Sequence, residues 1–148
     1  MFQIVESERK TAVLKHPSLP CLVGYHAVNL LSGCPYECRY CYTQSYSSHP
    51  GWGRAVFYAN TVELLKRELA RRRERVRLVY FSTACEPFVD DAKILDQLFE
   101  AMRVLLERSV SILISTKSVI PDNFLDLFER YRDLVHVQAG LMRLEFGG

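Results

Sequence analysis

No run in this sequence approaches the roughly 20 consecutive apolar residues that a helix needs to cross a bilayer, so a membrane-spanning protein is not expected. An excess of charge of one sign is missing too. There are 19 Lys and Arg against 17 Asp and Glu, and a formal net charge of +2 is too small to argue for nucleic acid by itself. No secretory leader is visible, no internal repeat recurs and no low-complexity segment stands out. With 49% hydrophobic and 24% charged residues over 148 positions, the chain is expected to be one soluble globular domain that buries a core rather than a disordered one. The five cysteines are odd in number, and without a leader a disulfide scaffold fits them poorly. Thiols left unpaired point to a reducing cytoplasm.

Three of those cysteines are concentrated. Ser32 to Tyr42 reads S-G-C-P-Y-E-C-R-Y-C-Y and sets Cys34, Cys38 and Cys41 in the spacing C-x3-C-x2-C. A [4Fe-4S] cube normally takes four thiolates, so a site that offers three leaves one iron open to something other than protein. Zinc is the rival reading, because a structural zinc site takes four ligands. Its fourth ligand would have to be Cys21, His26 or His49, none of which is spaced as a partner knuckle. A buried cluster of small apolar thiols is the blandest reading. It does not explain the surrounding Gly33, Pro35, Glu37 and Arg39.

The rest of the chain alternates strand and helix signals. Met1 to Leu19 is mixed in character and reads as a lead-in arm; Cys21 to Leu31 is apolar and reads as a first buried strand. Thr43 to Arg54, with its single tryptophan, Trp52, reads as a loop, and His49 there as a solvated histidine. Asn60 and Glu63 have the spacing of a helix capping box. Val62, Leu65 and Leu69 follow at helical spacing, and Lys66, Arg67, Arg71, Arg72 and Arg73 with interleaved glutamates form a solvated face rather than a nucleic-acid patch. Leu78 to Phe81 is a continuous apolar run, the pattern of a strand covered on both faces. A second helix capped by Asp90 or Asp91, a strand over Val110 to Ile114, a third helix opened by Pro121 and a last strand over Val135 to Leu141 complete the series.

Strands separated by helices imply parallel β-α-β crossovers, and such sheets bind ligands at the carboxyl ends of their strands. The three cysteines follow the first strand, Cys85 and Glu86 the second, and Thr116 and Lys117 the third, so all are expected on one rim. For a zwitterionic ligand, Glu86 is suited to an ammonium group and Lys117 to a carboxylate. Ser115 or Thr116 is suited to ribose hydroxyls, and Cys85 is read as a core thiol.

Cys34, Cys38 and Cys41, with Tyr40 directly before the last of them, resemble the signature of the radical S-adenosylmethionine (SAM) superfamily. The resemblance implies a [4Fe-4S] cluster whose open iron chelates SAM. It further implies a one-electron reduction that generates a 5′-deoxyadenosyl radical for hydrogen abstraction, with a flavodoxin or ferredoxin as reductant. The order of features is similar to the spore photoproduct lyase-like branch, over roughly Leu30 to Leu141: G-C-P-Y-E-C-R-Y-C-Y, then G-W-G at Gly51 to Gly53, N-T-V-E-L-L-K-R-E-L at Asn60 to Leu69 and T-K-S at Thr116 to Ser118. By that resemblance Tyr42, Glu86, Lys117 and Gln138 contact SAM. Residues 1–20 then form an N-terminal arm and 21–148 the domain, a partial parallel (β/α) barrel.

The chain also departs from that branch. Glu86-Pro87 stands where members usually have Asp-Pro, and Thr83 falls where thymine-dimer lyases carry a hydrogen-donor cysteine, so DNA repair is not supported. About four of the family's six β/α units precede Phe146-Gly147-Gly148, which reads as a truncated barrel or as one completed by self-association or a partner chain. Two function classes follow: a radical SAM enzyme acting on an unidentified organic substrate, or a non-catalytic metal-binding module or inactive fragment.

Overall fold

Residues 1–17 and 20–141 are described by the structure, a computed structural model. The helices follow the apolar spacing of the sequence. In α1 (Thr61–Arg71), Thr61, Val62 and Leu65 are buried while Glu63 and Arg67 pair across one turn at 2.5 Å on the solvent side. An exposed i,i+4 pair of this kind contributes a few tenths of a kcal/mol, so the apolar face, not the charge ladder, holds the helix. In α2 (Ala92–Glu107), a buried stripe from Ile94 through Leu98, Met102 and Leu105 starts at Asp91, whose carboxylate accepts from the Ile94 amide at 3.2 Å. In α3 (Asp122–Arg130), Phe124, Leu127 and Phe128 are buried, with Pro121 at the N-cap. Phe124 meets Phe88 and Phe99 edge-on, with centroids 5.1 and 5.3 Å apart, and so ties α3 to α2 and to the segment before it.

The capping box expected at Asn60 and Glu63 does not form. The Asn60 side chain instead accepts from the Arg9 amide at 2.8 Å and donates to the Arg9 carbonyl at 3.0 Å. Both ends of the amide are turned to this long-range contact, and the side chain makes no bond to the helix terminus.

Seven strands are described: β1 (Gln3–Ser7), β2 (His26–Val28), β3 (Leu31–Ser32), β4 (Arg54–Tyr58), β5 (Leu78–Phe81), β6 (Ser111–Thr116) and β7 (Val135–Ala139). They form a wholly parallel sheet in the order β2-β5-β6-β7 and a smaller sheet in the order β1-β4-β3, where β1 runs parallel and β3 antiparallel to β4. The described residues thus form a mixed α/β fold with a parallel sheet and three α-helices. The segment read as a lead-in arm contains β1 and, at Lys15, a bridge to Ala27. Residues 18, 19 and 142–148 of the expected arm and chain end lie outside the described residues. None of the described helices is long and apolar enough to cross a membrane.

Two strand expectations need correction. Cys21 to Leu31 is not one strand: residues 20–22 form a 3-10 turn, β2 belongs to the large sheet and β3 to the small one. The backbone explains the break. The Val28 carbonyl accepts from Ser82 at 2.9 Å, whereas the Leu30 carbonyl accepts from Tyr58 at 3.0 Å, so carbonyls only two residues apart are satisfied from the sides of different sheets. Nor is β5 covered on both faces. Val79 and Phe81 are buried, but Leu78 and Tyr80 are half-buried, and β6 alternates in the same way. One face carries the core, and the other lines a cleft.

His26 opens β2 as a buried residue, and its Nε2 faces the Arg72 guanidinium at 2.9 Å. Since Arg can only donate, the His26 proton resides on Nδ1, which is buried without a partner. Burial first, then Arg72, pushes the His26 pKa below its ordinary value of 6.5. The unfolded chain therefore takes up this proton first. Stability should fall as the pH drops through about 6.5, and His26→Gln, which keeps an acceptor for Arg72, should flatten that loss. Urea unfolding of both proteins between about pH 7.5 and about pH 5 measures the difference.

Candidate functional site

At the carboxyl ends of β5, β6 and β7 the open sheet face forms a cleft of about 440 Å³ with the cysteine loop as its wall. Every site residue expected from the sequence lines it: Cys34, Cys38, Cys41, Tyr42, Glu86, Ser115, Thr116, Lys117 and Gln138. These nine come from four separate segments of chain.

The loop is held in shape by its own backbone. The Glu37 amide donates to the Cys34 carbonyl at 3.3 Å and the Cys41 amide to the Cys38 carbonyl at 2.9 Å, while the Gln44 side chain donates to Cys38 at 2.6 Å. Gly33 enters the loop at φ +86°, where a Cβ would lie 2.6 Å from the Arg54 carbonyl oxygen and 2.7 Å from Pro50. Tyr42 closes the loop by donating its hydroxyl to the Thr83 carbonyl. Asn29 secures that same stretch, donating to the Thr83 hydroxyl at 2.9 Å and accepting from the Ala84 amide at 3.0 Å.

Glu86 is buried, and its carboxylate accepts from the Thr116 hydroxyl, from the Lys117 amide at 3.0 Å and from the Phe88 amide at 3.3 Å. A carboxylate has about four acceptor positions, so room for one further donor remains. The Glu86 amide reaches the Cys34 sulfur at 3.4 Å. Lys117 extends from the end of β6 to the cysteine loop: its ammonium donates to the Tyr40 hydroxyl at 2.7 Å and stands 3.9 Å from the Cys38 sulfur. The Tyr40 bond holds the Lys117 pKa above its usual value. Ser115 joins Tyr80 at 2.6 Å and donates to Gln138 at 2.9 Å, a polar chain across three strands. The sequence reading missed Tyr80 by treating its strand as wholly buried. The Tyr80 hydroxyl, the one polar group in an otherwise apolar run, was the available signal.

Among the described residues no three His, Cys, Asp or Glu side chains are gathered closely enough to chelate an ion as they stand. The chemistry of the donors is nonetheless selective. Three free, half-buried thiols face one cleft from one loop, a set suited to iron and sulfide. Cys85 also reaches the cleft but packs against the hydrophobic core, and burial pushes its thiol up to about 12. Burial raises the Cys34 pKa as well, opposed by the amides of Tyr36 and Glu86.

Gly33→Ala should destabilise the protein by about 1–3 kcal/mol, because a side chain at this φ is strained and its Cβ meets backbone that cannot move aside. A lowered midpoint in denaturant titration checks this, and an unchanged midpoint would mean the loop does not depend on this turn.

No curated protein and no solved structure matches the chain significantly. The family profile of the Radical SAM superfamily matches residues 28–141, a span that begins within β2 and takes in the cysteine loop, β5, β6, β7 and the whole cleft lining. Three-quarters of the chain is covered, and the chain belongs to the radical SAM superfamily.

Proposed function

We propose that this chain is a radical SAM iron–sulfur protein of the spore photoproduct lyase-like branch, its parallel sheet being part of a (β/α) barrel. One observation carries the reading. Three thiols, a buried carboxylate, an ammonium and a line of hydroxyl and amide groups converge from four chain segments on one cleft. Cys34, Cys38 and Cys41 hold a [4Fe-4S] cluster at three corners. Glu86, oriented by Thr116 and the Lys117 amide, offers its remaining acceptor position to the amino group of SAM. Lys117 leaves Tyr40 to pair with the carboxylate of SAM. Ser115 and Gln138 meet the ribose hydroxyls, and Tyr42 keeps the cysteine loop against the segment after β5. When bound, cluster and SAM supply one-electron cleavage of a sulfonium bond and the hydrogen abstraction that follows from it. The protein contributes placement, charge complementarity and exclusion of water.

Thr83, at the position of the dimer lyases' hydrogen-donor cysteine, is bonded to Asn29, and its hydroxyl is not a hydrogen-atom donor. DNA repair is accordingly not supported, and the substrate is an organic molecule yet to be identified. A low-potential donor such as flavodoxin or ferredoxin supplies the electron, and the reaction belongs to a reducing cytoplasm. Among the described residues β7 has no strand neighbour beyond β6. A second copy or a partner chain would complete the barrel there.

Anaerobic reconstitution with iron and sulfide should yield a brown protein with about four irons per chain. Once reduced, it should cleave SAM to 5′-deoxyadenosine. Cys34→Ala, Cys38→Ala and Cys41→Ala should each abolish iron retention, while Cys85→Ala retains it. A colourless protein with one tightly held zinc would overturn the assignment, and SAM binding without cleavage would reduce it to a cofactor-binding fragment. Lys117→Ala should leave the cluster spectrum unchanged and weaken SAM binding about tenfold, measured by equilibrium dialysis.

A further inference from the structure

A second cavity, of about 300 Å³, lies behind the cysteine loop, between that loop and the segment joining β1 to β2. It shares Thr43, Thr83 and Ala84 with the cofactor cleft, yet its lining differs in character: Arg9, Lys15, His16 and His49 all border it, and no carboxylate does. We propose that this cavity binds a small phosphate-bearing ligand, held by Arg9 and Lys15 with hydrogen bonds from His49 and neighbouring hydroxyls.

The argument starts from Arg9. Its guanidinium is half-buried over the Tyr58 ring at 4.2 Å and donates one arm to the Asn29 carbonyl, but its Nε is buried with no partner. A cation withdrawn from water needs an anion or a full set of acceptors. The acid that attracts it from nearby is Glu68, whose two carboxylate oxygens accept from the Val13 and Leu14 amides at 2.5 and 3.0 Å. Among the described residues neither Arg9 nor Lys15 takes part in an ion pair within 4.0 Å. His49 accepts from the Gly51 amide through Nδ1 at 3.1 Å, which puts the proton of the neutral ring on Nε2 and makes that side a donor. Ser48 and Tyr58 add hydroxyls. Four basic side chains and no carboxylate around a concave site suit an anion with several oxygens, and Arg's planar fork matches phosphate geometry. A volume near the lower end of the ligand-pocket range suits a small molecule better than a polymer. A purely structural Arg9, pinning the early segment to Asn29, would account for one contact. It would not account for three more basic side chains around the same space.

This inference does not depend on the cluster, so the test uses protein without it. Inorganic phosphate is titrated calorimetrically at constant ionic strength, with chloride, malonate and oligothymidylate as competitors. One saturable phosphate site is expected, weakened at least about tenfold in the double variant Lys15→Gln/His49→Gln, whose first side chain is exposed, and unchanged in the distant exposed variant Lys66→Gln. Arg9→Gln, if circular dichroism shows it folded, should lose the site, and the double variant decides the matter if it is not. No saturable binding, equal affinity in the double variant, equal affinity for malonate or chloride, or tighter binding of oligothymidylate would each overturn the proposal.

Discussion

The buried carboxylate of Glu86 is the interaction on which the cleft depends. A carboxylate shielded from water is costly unless donors surround it, and here they come from the end of β6, through the Thr116 hydroxyl and the Lys117 amide, and from the Phe88 amide in its own loop. The Glu86 amide then reaches the Cys34 sulfur. One residue therefore fastens the turn after β5 to the turn after β6 and to the cysteine loop. Satisfying its charge fixes where those three pieces stand relative to one another, and with them the Lys117 side chain.

The parallel sheet supplies the frame for that fastening. Because β2, β5, β6 and β7 all run the same way, the residues that follow them emerge on a single rim, and the helices return the chain on the far face without obstructing it. The alternating side chains of β5 and β6 divide the work. Val79, Phe81, Ile112 and Ile114 bury against the helices, while Tyr80 and Ser115 face the cleft and, with Gln138, line it with hydroxyl and amide groups. The smaller sheet has a different part. Its β3 and β4 carry the chain into and out of the cysteine loop, and Gly33 allows β3 to pass Arg54 closely enough for that turn.

Membership of the radical SAM superfamily points to SAM-dependent radical chemistry with an iron–sulfur cluster and leaves its target open. The cofactor side of the site is rich in named contacts. The basic cavity behind the loop is a second concave feature with a chemical character of its own, and it adjoins the cleft through Thr43, Thr83 and Ala84. A chain that binds one zwitterion through an acid and a base, and a second ligand through bases alone, would keep the two apart by charge.

Much of this was legible in the residues themselves. The C-x3-C-x2-C spacing is local, helical periodicity identified α1, α2 and α3, and the strand–helix order was enough to put Glu86, Thr116 and Lys117 on the rim of the cysteines. Local spacing could say this because period and chain direction are properties of consecutive residues. It could not say that Asn60 would turn from its helix to Arg9, that residues 21–31 would be divided between two sheets, that Tyr80 would face open space, or that Arg9, Lys15, His16 and His49 would surround one cavity. Those outcomes are set by partners tens of residues away competing for the same donors and acceptors, and such competition is settled when the whole chain packs.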